Sequence, residues 1–395
     1  MKKNRLTPLL GIGLTLASCA DQTPTVNLGI DDTYYIYRMQ KLALSPALTG
    51  QSYRWMTADG EVLSTGRDYI FLVENPGVYH LTLEIIDDET PFQYDFTVIV
   101  IPEEIAYSPY LSKVYDYHPA PGQFVNQMPE YRPGESYDDM LARVEESLCE
   151  TNDVLVTLGG FGGYITFGFD HTVINRPGEY DFMILGNSFY EPTGQDRQGG
   201  SAEPGAVMVS YDTNCNGVPD DEWYELAGSE YNNRETIHNY SITYHRPDPD
   251  REIISQGNLI DINYITWSDS EGQTGTMPKN SFHRTNDYFP GWVSDETLSF
   301  KGTRIPDNGI DLSGYGGYYV LYCYGHGYAD NHPNEDADLN SFDISWAVDK
   351  DGMPVALPGV DFIRVYTAIN QYCGWEGETS TEICRAQDLH ISNQK

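Results

Sequence analysis

The chain is short of positive charge. Its 395 residues hold 23 Lys and Arg against 59 Asp and Glu, a formal net charge of −36. That balance excludes nucleic acid and an anionic membrane surface as electrostatic partners. Charged residues are only 21% of the chain, too few for an acidic disordered segment, so the composition describes a folded body with an acidic skin. Long apolar runs are lacking as well. Past residue 16 nothing approaches the roughly 20 residues that a membrane helix needs. After position 19 cysteine is scarce and odd in number: Cys149, Cys215, Cys323, Cys373 and Cys384 cannot all pair within one chain. Cys373 and Cys384 are close enough in sequence to pair in an oxidising compartment, with buried thiols as the alternative.

Catalytic signatures are missing too. Gly186-Asn187-Ser188-Phe189-Tyr190 lacks the second glycine of a G-x-S-x-G elbow, and neither H-E-x-x-H nor a Cys–His signature occurs. The cluster at residues 159–163 lacks G-x-G-x-x-G spacing and runs into the strand-like Tyr164-Ile165-Thr166-Phe167, so it reads as a tight turn with close backbone packing. His326 and His332 flank Asp330, but a spacing of i, i+6 fits no standard zinc signature. Paired carboxylates for glycoside cleavage stay open, because 59 acidic residues make coincidental pairs inevitable.

What is present begins at the N-terminus. Lys2, Lys3 and Arg5 precede an apolar stretch over residues 6–16, and Leu16-Ala17-Ser18-Cys19 follows. A basic head, a short apolar run and small residues before the cut describe a secretory signal. The cysteine makes the pattern resemble the lipobox of bacterial lipoproteins. The resemblance implies cleavage after residue 18, lipid on Cys19, residues 19–25 as a tether, and a membrane partner reached through the anchor. It also implies an outer-membrane, cell-surface address, although Asp21 is the lone acid of the export signal seen in Bacteroidetes surface lipoproteins.

Glycine (37), proline (23) and tyrosine (31) are plentiful, as in proteins of many short strands and tight turns. Residues 26–102 alternate with period two: Leu81, Leu83 and Ile85, then Phe92, Tyr94, Phe96, Val98 and Val100, with Asp59-Gly60 and Asn75-Pro76-Gly77 as turns. Trp55 is the expected core pin. Tyr53-Arg54-Trp55, Gly60 and the run from Gly77 through Leu83 resemble PKD-like, immunoglobulin-like domains of bacterial surface proteins, which implies a spacer or docking module. Ile101-Pro102-Glu103-Glu104 marks a boundary. The Pro-, Gly- and Tyr-rich stretch to residue 135 is expected to wrap over the next domain. Ser136, with Asp139 in capping-box register and Met140, Val144 and Leu148 on one face, predicts a single helix.

Strand patterns return to the end of the chain, including Asp181-Phe182-Met183-Ile184-Leu185, residues 318–324, 341–348 (with Trp346 in the core) and 361–366. The expected architecture is all-β: a small Ig/PKD-like sandwich, then a jelly-roll-like sandwich over residues 103–395 with one short helix. Leu158-Gly159-Gly160-Phe161, Gly186-Asn187-Ser188-Phe189, Glu203-Pro204-Gly205-Ala206 and Tyr328-Ala329-Asp330-Asn331 resemble a family of bacterial cell-surface proteins. Some members look like companions of TonB-dependent uptake systems, corrinoid loci included.

The sharpest candidate site is Asp212-Thr213-Asn214-Cys215-Asn216-Gly217-Val218-Pro219-Asp220-Asp221. Side-chain oxygens at positions 1, 3 and 5 and glycine at 6 suit calcium, which takes six to eight oxygens. Asp212, Asn214, Asn216, the Val218 carbonyl, and Asp220 or Asp221 are the expected ligands of a structural ion. Trp223 stands where an EF-hand places its bidentate Glu. The alternative is a plain hairpin turn on Asn216-Gly217 between Val209 and Tyr224. Tyr288, Trp292 and Trp375, beside Pro or Gly on expected loops, and the polar pair Asp330 and Asn331 are the candidate ligand contacts. These residues point to non-catalytic capture of a glycan or corrinoid for a TonB-dependent-type transporter. A glycoside hydrolase and a structural adaptor docking a transporter are the alternatives.

Overall fold

The computed structural model describes residues 28–87, 90–102, 106–150, 153–191 and 198–391. The signal and anchor assigned to residues 1–19, Cys19 included, lie outside them, as does the boundary at Glu103-Glu104. Two compact units divide the chain. The smaller comprises Met1–Ile36, Leu42–Phe71 and Pro76–Ile101; the larger comprises Tyr37–Lys41, Leu72–Asn75 and Pro102–Lys395.

The smaller unit is an antiparallel sheet ordered Thr33–Tyr37, Thr90–Ile101, Gly77–Asp87, Ser52–Thr57, Val62–Ser64, with Leu42–Leu44 paired to Tyr69–Phe71 beside it. Alternation does what the pleat demands. Leu81, Leu83 and Ile85 are buried, and so are Phe96, Val98 and Val100, whereas Phe92 at the start of the run is exposed. Trp55 is 1% exposed, meets Phe96 edge-on at 6.1 Å, and donates its indole N–H to the Gly66 carbonyl at 3.0 Å. Glu84 breaks the alternation. It is buried because the Arg54 guanidinium donates to its carboxylate at 2.5 Å and the Gln93 amide at 3.0 Å.

The larger unit is also all-β, with one α-helix among its described residues. Its main sheet runs Ala347–Val348, Trp223–Leu226, Gly205–Ser210, Phe362–Thr367, Tyr164–Gly168, Lys113–His118, and Tyr328–Ala329 pairs to the third of these. Lys113–His118 is a difference from expectation: the stretch before the helix supplies a sheet strand and does not merely wrap. A four-stranded sheet (Thr274–Asn280, Leu259–Asp269, Ile237–His245, Thr297–Arg304) buries Tyr240, Ile242 and Tyr244 in one cluster with Ala120 and Phe161. Smaller sheets of two or three strands take up the rest.

Local chemistry explains the joints. The helix spans Tyr137–Leu148; Ser136 caps it reciprocally with Asp139, and Met140, Val144 and Leu148 are its buried face. Gly159 has φ +70°, and a Cβ there would fall 2.0 Å from the Ala120 carbonyl oxygen. At Gly163 it would fall 1.9 Å from that of Leu158, so the glycines permit two backbones to touch. Residues 341–348 are not one strand. Ser341–Phe342 and Ala347–Val348 flank a 3-10 turn, Ile344–Trp346, which leaves Trp346 half-buried, tilted against His326. Cys149, Cys215, Cys323, Cys373 and Cys384 are all free thiols, so Cys373 and Cys384 are not joined.

Candidate functional site

A cavity of about 580 Å³ opens in the larger unit. Its rim is aromatic. Phe189, Phe282 and Trp375 line it with 53%, 64% and 40% of their surface exposed, and Phe124 and Tyr319 join them. Its floor is acidic, with Glu203, Glu376, Glu378 and Glu382 among the lining residues.

Turn chemistry positions the rim. In Gly374-Trp375-Glu376-Gly377 both glycines take positive φ, +60° and +103°, and the Cys373 N–H closes on the Gly377 carbonyl at 2.7 Å. A reversal this tight pushes Trp375 outward, and the indole N–H donates to the Gly317 carbonyl at 3.1 Å. Gln123 is a buried brace beneath it. Its backbone N–H donates to Glu378 Oε1 at 2.6 Å, and its amide donates to the Glu376 carbonyl at 2.7 Å. Its amide oxygen accepts from Asn280 at 2.8 Å. Asn280 in turn accepts the N–H groups of Phe282 (3.1 Å) and His283 (2.9 Å), fixing the turn that presents the Phe282 ring 5.7 Å from Trp375.

The floor concentrates carboxyls. Oxygens of Glu203, Asp330 and Glu382 all lie within 4.8 Å of one another. Glu203 Oε1 accepts the Ser380 N–H at 2.9 Å, and Glu382 Oε1 accepts the hydroxyls of Thr157 and Ser380, both at 2.8 Å. Pairing of Glu382–Ile383 with Val156–Thr157 sets that register. Burial drives the carboxyls upward: Glu382 and Glu376 to about 7 and Glu378 to about 8. Glu203 is raised by burial and then by its neighbours Glu382 and Asp330. Near neutral pH the floor therefore offers hydroxyl donors as well as acceptors.

The expected contacts fall in different places. Trp375 is in the cavity. Tyr288 is not: it is wholly buried, edge-on to Tyr264 at 5.2 Å, with its hydroxyl accepting the Asn280 N–H at 3.3 Å. The Pro290-Gly291 neighbourhood suggested exposure, but the four-stranded sheet covers the ring. Trp292 is half-buried and stacked on Tyr117 at 6.0 Å, away from the cavity lining. Asp330 and Asn331 are fully buried instead of displayed on a rim. Asp330 accepts the N–H groups of Asn187 (2.8 Å), Ser188 (3.0 Å) and Glu382 (2.9 Å). Asn331 exchanges two hydrogen bonds with the Tyr324 backbone. His332 turns to the carbonyls of Tyr324 and Gly325, while His326 is exposed. Glu203, Glu376, Glu378 and Glu382 had no local signature, although Glu376 sits inside the Gly-Trp-Glu-Gly turn.

The loop at residues 211–222 joins Gly205–Ser210 to Trp223–Leu226, with Val209 opposite Tyr224. Asp212 accepts the N–H groups of Asn216 (3.1 Å) and Gly217 (2.9 Å), and the Asn214 and Asn216 amides donate to Asp220 at 3.1 and 3.2 Å. The Asn214 and Asn216 amides thus turn their nitrogens to Asp220, while Asp212 is taken up by backbone N–H groups and Asp221 by the Thr213 hydroxyl.

No family model matches the chain, and no curated protein does. Among solved structures, a SusE-like protein aligns at 9% identity over 90% of this chain and 95% of its own, with a TM-score of 0.24. A structure of carbohydrate-binding modules from the β-sandwich superfamily aligns at 12% over 89% and 91%, with a TM-score of 0.14. A quinonprotein alcohol dehydrogenase-like protein from Bacteroides thetaiotaomicron aligns at 15% over 21% of this chain, with a TM-score of 0.17. The chain spans 20% of that protein's length. At such TM-scores none of the three defines a shared fold or carries a function across.

Proposed function

We propose that this protein captures an extracellular glycan, without altering it, in the cavity rimmed by Phe189, Phe282 and Trp375. The carrying observation is the pairing of exposed rings with an acidic floor in one cavity of about 580 Å³. Ring faces pack on the C–H faces of sugars, and carboxyls exchange hydrogen bonds with hydroxyls. That volume suits a short oligosaccharide better than a whole corrinoid macrocycle. Hydrolysis is the second reading, because carboxyls of Glu203 and Glu382 meet in the cavity. Glycosidases pull two carboxyls apart in ionisation, one acid and one carboxylate. Here burial raises both Glu203 and Glu382, and Glu203 is raised further by Glu382 itself, so the pair keeps hydrolysis as the second reading.

In this proposal lipid on Cys19 tethers the chain to the outer membrane at the cell surface, and the PKD-like unit serves as spacer or as the dock for a TonB-dependent-type transporter. No helix among the described residues is long and apolar enough to cross a membrane. Native mass spectrometry of the chain with a panel of oligosaccharides and cobalamin is the test. An adduct of unaltered glycan mass is expected. A cobalamin adduct would replace the ligand, cleaved glycan would make the protein an enzyme, and no adduct would leave the adaptor role.

A further inference from the structure

We propose that Glu203, Asp330 and Glu382 form a binding site for a hard divalent cation, calcium foremost, at the floor of the cavity. Three carboxyls with oxygens inside 4.8 Å repel one another when ionised, and no ion pair found among the described residues reaches them. Either protons or a cation must settle that charge. The donor set is all oxygen, without nitrogen or sulfur, which selects hard cations.

A separate observation points to a ligand. Glu378 lines the same cavity and is 6% exposed, and its Oε1 accepts the Gln123 N–H at 2.6 Å. Its Oε2 is buried with no hydrogen-bond partner among the described residues. A buried acceptor left over costs free energy unless something occupies it, which points to an occupant in the cavity that Glu378 shares with Glu203 and Glu382. Asp330 is the rigid member, because three backbone N–H groups hold its two oxygens in place. Glu203 and Glu382 face the cavity and give the ion its way in. The site is separate from the loop at residues 211–222, and it does not depend on glycan capture.

The test is calorimetric titration of the whole chain with calcium chloride, paired with amide hydrogen exchange read by mass spectrometry. Calcium is expected to bind and to slow exchange at residues 186–188 and 378–382. Glu203→Gln combined with Glu382→Gln, which keeps shape but removes charge, should weaken that binding by roughly 100-fold. If circular dichroism shows that pair unfolded, the wild-type exchange map decides, with Glu203→Gln alone as the milder variant. No calcium uptake, or protection confined to residues 211–222, overturns the proposal. Calcium protection at residues 378–382 in a protein that takes up no glycan would leave this site standing and sink the capture reading.

Discussion

His171 Nε2 lies 2.7 Å from Asp388 Oδ2, and both side chains are buried. The other imidazole nitrogen meets Asp170 at 2.6 Å, and the rings of Tyr107 and Phe169 pack nearby. Asp388 is also held by the His390 N–H at 2.6 Å. Burial opposes charge on His171, but hydrogen bonds and charge from Asp388 and Asp170 outweigh it, and the net direction is upward. A His whose folded pKa exceeds its unfolded value stabilises fully below the unfolded value of about 6.5 and loses that contribution as pH rises through the folded value. Thermal unfolding should therefore show a Tm that declines on the alkaline side of pH 6.5. His171→Gln should flatten that decline and cost about 3 kcal/mol at pH 6 by leaving Asp388 unpaired. A Tm profile unchanged by the substitution would refute the assignment.

Gly159 should be intolerant of any side chain. Its φ of +70° disfavours L residues, and the Cβ would sit 2.0 Å from the Ala120 carbonyl oxygen, in a segment whose N–H is tied to the Leu158 carbonyl at 3.0 Å. Gly159→Ala is expected to cost about 3 kcal/mol, read as a lower urea midpoint. Gly217, also at positive φ (+71°) but with nothing among the described residues within 4 Å of its Cβ, should lose much less on the same substitution.

These two glycines show what a sequence can and cannot announce. The Gly159–Gly163 turn was legible because strand patterns bracket it, as were Trp55 and the helix at Ser136, all set by neighbours in sequence. The acidic floor was not. Glu203 meets Ser380 across 177 residues, a relation fixed by strand order and by no spacing pattern. Tyr288 illustrates the opposite failure. Proline and glycine beside a ring mark a loop, yet loops such as this one tuck their rings under a sheet. Trp375 was legible as a loop ring because glycines on both sides force the reversal that exposes it.

Calcium at the loop of residues 211–222 would have to compete with hydrogen bonds already there. Asn214 and Asn216 oxygens accept the N–H groups of Asn216 (3.0 Å) and Val218 (2.7 Å), so they are aimed by the backbone and can share a cation only through their remaining lone pairs. Chelation with EGTA should lower Tm by a few degrees, corresponding to about 1 kcal/mol. Asp212→Asn should make Tm less sensitive to the chelator. A Tm indifferent to EGTA in the wild type would leave a plain hairpin connection between Val209 and Tyr224.

Ligand capture by exposed rings and structural support by buried ones predict opposite behaviour for two aromatic substitutions. Trp375 and Phe282 keep 40% and 64% of their surface in water, so shortening either should barely change Tm. Trp375→Ala should instead weaken glycan binding about 10-fold, or ~1.4 kcal/mol, with Phe282→Ala similar, because each removes one stacking face. Tyr288 has no exposed surface, fills the core against Tyr264 and receives the Asn280 N–H. Tyr288→Ala should cost about 3–5 kcal/mol of stability. Affinity and Tm are therefore expected to separate: rim variants lose the first and keep the second, while the core variant loses the second. If Trp375→Ala and Phe282→Ala bind glycan as the wild type does, the cavity rim is not where the sugar sits.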